Sequence, residues 1–275
     1  MSTGLKRNII DKYYTKQSVV KYCIDLFKKN IKINKKKDLI IEPSAGNGSF
    51  IPFIKKLTTS TIFYDLKPDH KGIIKQNYLK LNPKLFLNKY NKIHIIGNPP
   101  FGRQSSTAIK FIKKSCEFCD TISFILPKSF KKASLKSKIP LNFHLVVQKD
   151  LPKNSFTVNS HDYDVPCIFQ IWIKKSFKRK KPIRHRQSQL FTFVKKHERP
   201  DVAIRRIGSN AGKVYEDYEQ KNTNSHYFIK IHNGVDKNKI IKYNYKSFNN
   251  TVGPLSISKQ ELIIFYDRYL QAFYL

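Results

Sequence analysis

The chain is poor in acids. Its 275 residues carry 19 Asp and Glu against 53 Lys and Arg, a formal net charge of +34, and such an excess favours polyanions as partners. Methionine and tryptophan occur once each, and glycine and proline number only 10 and 13, which excludes collagen-like and low-complexity chains. No apolar run is long enough to cross a membrane. The first residues, Met1-Ser2-Thr3-Gly4-Leu5-Lys6-Arg7, lack the apolar core of a secretory signal. Four cysteines at irregular positions make no disulfide framework. The resulting expectation is an intracellular, reduced protein with no membrane partner; none of these features sets an oligomeric state.

What is present is a core. Hydrophobic residues make up 40% and aromatic residues 13% of the chain, enough for one large domain, or one domain with a small appendage. Residues 16–30 place Val19, Val20, Cys23, Ile24, Leu26 and Phe27 at helical spacing, with Thr15 as the expected N-cap. Short β-type runs follow at 38–42, 61–65, 93–96, 121–126 and 143–147, separated by helical patterns such as 49–57 and 105–119. A last strand spans 165–173. Strands alternating with helices predict an α/β fold, a parallel sheet wound on both sides.

Residues 174–186 hold eight basic residues and no acid, the composition of a linker or a solvated rim. Beyond them, runs at 191–194, 202–207 and 227–231 are strand-like and 259–275 is helical. The boundary is therefore expected near residue 175, with an α/β domain at 1–175 and a small, mostly β module at 176–275. Lysine is among the residues an AT-rich genome over-encodes, so arginine is the better witness to binding. Six of the nine arginines, Arg179, Arg184, Arg186, Arg199, Arg205 and Arg206, lie within one short stretch. Guanidinium groups pair bidentately with phosphates and read guanine edges, which makes Arg184, Arg186, Arg205 and Arg206 the candidate nucleic-acid contacts.

Three segments carry the chemistry. The first strand runs into Glu42-Pro43-Ser44-Ala45-Gly46-Asn47-Gly48, a glycine turn at a strand's carboxyl end where doubly wound sheets hold ligands. It lacks the Lys-Ser/Thr ending of a phosphate loop and the full dinucleotide fingerprint, so a cofactor without a pyrophosphate fits better. The second strand ends in Asp65, a carboxylate able to take both hydroxyls of a ribose. Another strand ends in Gly97-Asn98-Pro99-Pro100-Phe101-Gly102, a stiff turn.

Together these segments resemble the amino-methylating branch of the S-adenosylmethionine-dependent methyltransferases, in which Asn-Pro-Pro-Phe is the catalytic motif and Glu-Pro-Ser-Ala-Gly-x-Gly the cofactor motif. Asp11-Lys12-Tyr13-Tyr14-Thr15-Lys16 is similar to the segment preceding the cofactor motif in γ-class adenine-N6 DNA methyltransferases, and the order of segments is theirs. The resemblance covers residues 11 to about 173. It implies a Rossmann-like class I methyltransferase sheet, S-adenosylmethionine as cofactor, and adenine N6 in nucleic acid as target, DNA ahead of RNA. Asn98, Pro99, Pro100 and Phe101 would be catalytic, the Asn98 side-chain oxygen and the Pro99 carbonyl accepting hydrogen bonds from the amine and Phe101 stacking on a flipped base. Tyr14 and Thr15 would line the methionine end of the cofactor, Glu42, Ser44, Gly46 and Gly48 would form its floor, and Asp65 would hold its ribose. Asn77 stands where the family often has an acid for the cofactor's adenine amine.

Other constellations are plainer. Cys116 and Cys119 share a helix face but lack zinc partners, so no metal is expected; Cys167 is expected in a core strand. Residues 161–164, His-Asp-Tyr-Asp, read as a turn. Phe156 is a candidate to pack beside a flipped base, or is ordinary core. RNA adenine methylation, protein glutamine methylation and inactive nucleic-acid binding are the rival functions.

Overall fold

The computed structural model describes residues 13–86, 88–158, 160–181, 187–242, 251 and 254–274. They fall into two compact units that divide between Lys181 and Pro182, six residues beyond the position expected from composition.

The larger unit begins with β1 (Tyr14–Thr15) and α1 (Gln17–Asn30). The first βα units follow as β2 (Leu39–Glu42), α2 (Ile51–Ile54), β3 (Ser60–Asp65) and β4 (Ile74–Lys75). Then come β5 (Ile93–Gly97), α3 (Ser106–Cys116), β6 (Thr121–Pro127), α4 (Ala133–Lys136) and β7 (Phe143–Asp150). A hairpin, β8 (Phe156–Val158) with β9 (His161–Tyr163), precedes β10 (Cys167–Lys174).

Seven strands form one Rossmann-like sheet in the order β4-β3-β2-β5-β6-β10-β7. The order reverses between β2 and β5, which pair in parallel with Ile41 opposite Ile95. A crevice outside the carboxyl ends of those two strands is where such sheets take ligands. The expectation of a wholly parallel sheet needs correction at one strand. β10 runs antiparallel to both neighbours, β6 and β7, because a hairpin of extended chain, not a crossover helix, leads into it.

Side chains alternate across the strands, and each face finds its own cover. Leu39, Ile41, Ile93, Ile95, Ile122 and Phe124 pack with Ala108, Phe111 and Ile112 of α3. On the other face Phe27 of α1 meets the ring of His94 edge-on at 5.9 Å. α1 buries Val19, Val20, Cys23, Ile24 and Phe27, the stripe its spacing predicts. The residue before it, Lys16, is the N-cap and makes no side-chain cap; Thr15 does not cap the helix. The pattern over 49–57 yields only one turn, α2, with Pro52 in it. Among the described residues no α-helix joins β3 to β5. Asn77 and Asn82 instead cap two short 3-10 turns, accepting from Leu79 N and Lys84 N at 3.0 and 3.1 Å, and Pro68, Gly72 and Pro83 interrupt any longer helix.

The smaller unit is an antiparallel sheet in the order β11-β14-β12-β13. These are β11 (Phe191–Val194), β12 (Val202–Arg205), β13 (Val214–Tyr215) and β14 (His226–Ile231), followed by α5 (Lys237–Ile241) and α6 (Lys259–Tyr274). Phe191, Val202, Ile204 and Ile229 form its core with Ile240, Leu262 and Tyr266, which accounts for the mostly β composition closed by a terminal helix.

At the amino ends of the central strands lies a closed polar network. Asp38 and His94 are 1% and 0% exposed. His94 Nε2 lies 3.3 Å from Asp38 Oδ2 and its Nδ1 lies 2.8 Å from Thr121 Oγ1, so a neutral ring donates to the carboxylate and accepts from the hydroxyl. Asp38 also accepts from Asn34 N and Asn91 Nδ2 at 2.7 and 3.0 Å. Burial alone would raise its carboxyl, but these donors and His94 hold it below the usual value. Burial pushes the His94 imidazole below its usual value although Asp38 pulls the other way. Below the ordinary imidazole value the unfolded chain binds a proton that the folded chain refuses, so this ring costs stability as pH falls. The stability advantage of wild type over His94→Gln should therefore narrow by about 1 kcal/mol between about pH 7 and pH 5 in urea unfolding. A constant difference would mean that folding leaves the proton affinity of His94 unchanged, and a widening one that His94 is protonated in the folded protein.

Candidate active site

The glycine turn after β2 and the Asn-Pro-Pro-Phe turn after β5 meet at the switch point of the sheet. Ser44 Oγ donates to the Asn98 carbonyl at 3.2 Å, which ties the two turns together. Gly97 separates them by the width of a hydrogen, since a Cβ there would lie 3.1 Å from Glu42 Cγ.

Asn98 is the best-defined group in the site. Its Nδ2 donates to Tyr13 O and to Thr15 Oγ1, both at 3.2 Å. Its Oδ1 is buried and accepts nothing. Both amide hydrogens are thus engaged by the segment before α1, and the one acceptor is left open. The turn beyond is held in left-handed backbone: Gly102 has φ +68°, and Gln104 and Ser105 have φ 51° and 62°. A side chain on Gly102 would run into Thr107. Two consecutive non-glycine residues in that region store strain, a frequent mark of a functional turn. Pro99 is buried, and Pro100 and Phe101 are half-buried.

Glu42 ends β2 at 2% exposure with Oε2 buried and unpartnered. Burial first, and then the Asp65 carboxylate, push its carboxyl well above the usual range. Asp65 ends β3. Its Oδ2 accepts from Gly46 N and its Oδ1 from Lys67 N, each at 2.8 Å. Each oxygen keeps a second lone pair for a hydroxyl, yet the carboxylate first serves to shape the glycine turn. Asn77 commits one lone pair to Leu79 N and stays half-buried.

Gly46 and Gly48 have φ +53° and +82°, conformations that glycine adopts without penalty. The space above them belongs to protein. A Cβ on Gly46 would stand 3.3 Å from Tyr14 Cε1, and one on Gly48 would stand 3.2 Å from His70 Cγ. Tyr14 also donates to Asp69 Oδ2 at 2.5 Å, and Asp69 N donates to Gly46 O at 3.0 Å. Sequence reasoning missed Asp69 and His70, which no motif marks and which only the fold of 66–73 brings over the turn.

The residues present fit a small cationic cofactor. The orphaned buried acid of Glu42 and the Asp65 carboxylate at the next strand end suit a ligand that bears an amine and hydroxyls, and the side chain of Tyr14 stands over the glycine turn between them.

Two expectations change. Phe156 is fully buried, pairing with Thr15 across β1 and β8 and lying edge-on to Tyr13 at 6.5 Å. Its ring has no face open to a base, so it is packing. Tyr13 and Tyr163, with rings 5.3 Å apart, are both half-buried. Arg179, counted in the arginine cluster, donates to Phe143 O, Lys136 O and Ile139 O at 3.1, 2.8 and 2.7 Å and lies over Trp172; it clamps the chain end of the larger unit.

Arg184 and Arg186 lie outside the described residues. In the smaller unit Arg205 donates to Ile207 O at 2.8 Å, while Arg206 is exposed and lies 5.7 Å over the Tyr227 ring. Lys259 joins it, 4.5 Å over Phe193 and 5.8 Å over Tyr227. This basic and aromatic patch was invisible in the sequence because α6 supplies one member and the sheet the rest. Cys23, Cys119 and Cys167 are buried and Cys116 half-buried. Burial raises every one of these thiols, Cys116 to about 12. No cluster of metal-ligating side chains occurs among the described residues, and none of their helices is long and apolar enough to cross a membrane.

No protein-family model matches the chain, and no curated protein matches it in sequence. Solved structures do resemble it. A candidate RNA methyltransferase from Pyrococcus horikoshii aligns at 17% identity and a TM-score of 0.44, over 62% of this chain and 91% of that one. A candidate class I S-adenosylmethionine-dependent methyltransferase from Listeria monocytogenes aligns at 15% and 0.45, over 65% and 66%. A candidate methyltransferase from Streptococcus mutans in complex with SAH aligns at 15% and 0.37, over 57% and 97%. The sheet order, with one antiparallel strand beside the last, is a Rossmann-like arrangement of the kind that the resemblance implied.

The raised carboxyl of Glu42 yields a test. An acid whose folded value is raised loses stability as pH climbs past its unfolded value, here about 4.5. Glu42→Gln should therefore be more stable than wild type at neutral pH, by about 1–3 kcal/mol in urea unfolding, with the gain vanishing toward about pH 4. A variant less stable than wild type at neutral pH would mean that the carboxylate is ionised and paired.

Proposed function

We propose that the chain transfers a methyl group from S-adenosylmethionine to the exocyclic N6 amine of adenine in nucleic acid, DNA ahead of RNA. The observation that carries this reading is the open acceptor: Asn98 Oδ1 is buried without a partner while both Asn98 amide hydrogens are engaged. A buried acceptor left unpaired costs stability, and a donor amine placed there relieves that cost. S-adenosylmethionine supplies an electrophilic methyl on a sulfonium. The protein's part is to orient the amine for in-line attack. Asn98 Oδ1, with the Pro99 carbonyl, would draw the two amine hydrogens into line and bias the nitrogen toward tetrahedral geometry. Phe101, half-buried, would stack on the flipped base. No covalent intermediate on the protein is needed, and the raised thiols would not provide one.

Glu42, Asp65, Gly46, Gly48, Ser44 and Tyr14 would hold the cofactor, with Asn77 toward its adenine. Ser44 would act at one remove, since its hydroxyl donates to the Asn98 carbonyl. The smaller unit would hold the nucleic acid. Phe193, Tyr227, Arg206 and Lys259 combine aromatic faces with exposed cations, the pairing that single-stranded and flipped nucleotides favour. The basic balance of the chain supports a polyanion over a protein glutamine as target.

Incubation with methyl-labelled cofactor and DNA, RNA and protein, followed by nucleoside and amino-acid analysis, should place the label on N6-methyladenine of DNA. Asn98→Ala should lower turnover at least about a hundredfold with little change in cofactor affinity. Label on glutamine, or a variant with near-full turnover, would overturn the reading. Arg206→Gln with Lys259→Gln should reduce the slope of log affinity against log salt by roughly one for each phosphate that the variant no longer neutralises. An unchanged slope would move nucleic-acid binding away from this patch.

A further inference from the structure

An asparagine amide can turn by half a revolution at little cost in shape, and the two orientations offer opposite chemistry to an incoming amine. One presents an acceptor oxygen, the other a donor nitrogen that repels the amine hydrogens. Something must therefore choose between them before the target arrives. The structure places two acceptors behind Asn98. Tyr13 O is a backbone carbonyl, and Thr15 Oγ1 is a hydroxyl, each 3.2 Å from Asn98 Nδ2. Thr15 is 6% exposed, and its backbone is held in register opposite Phe156. On the next residue, Lys16 Nζ pairs with Asp162 of β9 at 2.7 Å, and Lys16 N donates to Ser155 O at 3.1 Å. The hydroxyl thus stands on a backbone pinned to β8 at Thr15 and to Ser155 at the next residue, as a fixed acceptor requires.

We propose that Thr15 is a positioning residue that fixes the Asn98 amide with its oxygen toward the target amine, in place of the contact with the cofactor's methionine end that the resemblance implied. The inference deepens the proposed methyl transfer to an amine and rests on it. The alternative, a hydroxyl facing the cofactor, would leave the second Asn98 hydrogen with no acceptor and the amide held by the Tyr13 carbonyl alone.

The experiment compares Thr15→Val, which keeps the volume and branching but removes the hydroxyl, with Thr15→Ser, which keeps the hydroxyl. At saturating cofactor Thr15→Val should lower kcat for methyl transfer about tenfold, while KM for nucleic acid and the calorimetric Kd for S-adenosylmethionine change by less than about twofold. Thr15→Ser should restore most of kcat. Adding Thr15→Val to Asn98→Ala should cost nothing further, because both act through one amide. In the free protein, NMR should show that hydrogen exchange at the Asn98 side-chain amide speeds up about tenfold or more in Thr15→Val but not in Thr15→Ser. A weakened cofactor Kd with unchanged kcat would return Thr15 to the cofactor. Effects that multiply with Asn98→Ala, or amide exchange indifferent to Thr15→Val, would equally overturn the proposal. Should wild type methylate no amine at all, the functional reading fails, and the exchange measurement still decides whether Thr15 holds Asn98. If Thr15→Val does not fold, Thr15→Ala supplies the same comparisons.

Discussion

The amide of Asn98 joins three stretches of chain that lie far apart in sequence. The segment before α1 takes its hydrogens, Ser44 of the glycine turn takes its backbone carbonyl, and β5 sets its height above the sheet. Each of these contacts forms only if a larger element is in place. β1 must pair with β8 for Thr15 to stand where it does, and that pairing draws in the hairpin that leads to β10. Parallel pairing of β2 and β5 must bring the two turns level. A site so placed is a reporter of the whole larger unit: distortion at the β8–β9 hairpin reaches Asn98 through two hydrogen bonds.

The contrast between the two ends of the sheet is instructive. At the amino ends, every polar side-chain atom of Asp38 and His94 finds a partner among Thr121, Asn34, Asn91 and each other, which is the ordinary fate of buried polar groups. At the carboxyl ends, Glu42 Oε2 and Asn98 Oδ1 have no partner. Among the described residues only four buried side-chain polar atoms are orphaned, and two of the four sit here. The same sheet thus gives up stability at one end that it could have kept, as at the other, by closing the network. Such local inconsistency is expected where a protein is built to receive something.

Much of this was legible in the sequence because it is local. The β runs of the central sheet, the glycine turn and the stiff Asn-Pro-Pro-Phe turn are each written in a few consecutive residues. What depends on distant pairing was not. β1 is two residues long and exists only through β8. Thr15 looked like a helix cap because a threonine before an amphipathic run usually is one, but Asn98 takes its oxygen and Lys16 becomes the cap residue. Phe156 looked available because its loop is polar on either side, and Tyr13 and Thr15 cover it. Arg179 looked like its arginine neighbours, and its three carbonyl partners come from 136–143. In each case the residue type was read correctly and its partner was supplied by a strand or turn dozens of positions away.

The burial of the thiols has a practical side. At neutral pH a thiol pushed to about 12, like that of Cys116, is almost wholly protonated, and the three deeper cysteines are screened as well. Alkylating reagents and maleimides attack thiolate. A single cysteine introduced on an exposed position, for instance in place of Lys259 or Lys71, would therefore react far ahead of the native four. The wild-type background can carry a fluorophore or spin label as it stands, without a cysteine-free variant that would hollow out Cys23 and Cys167 from the core.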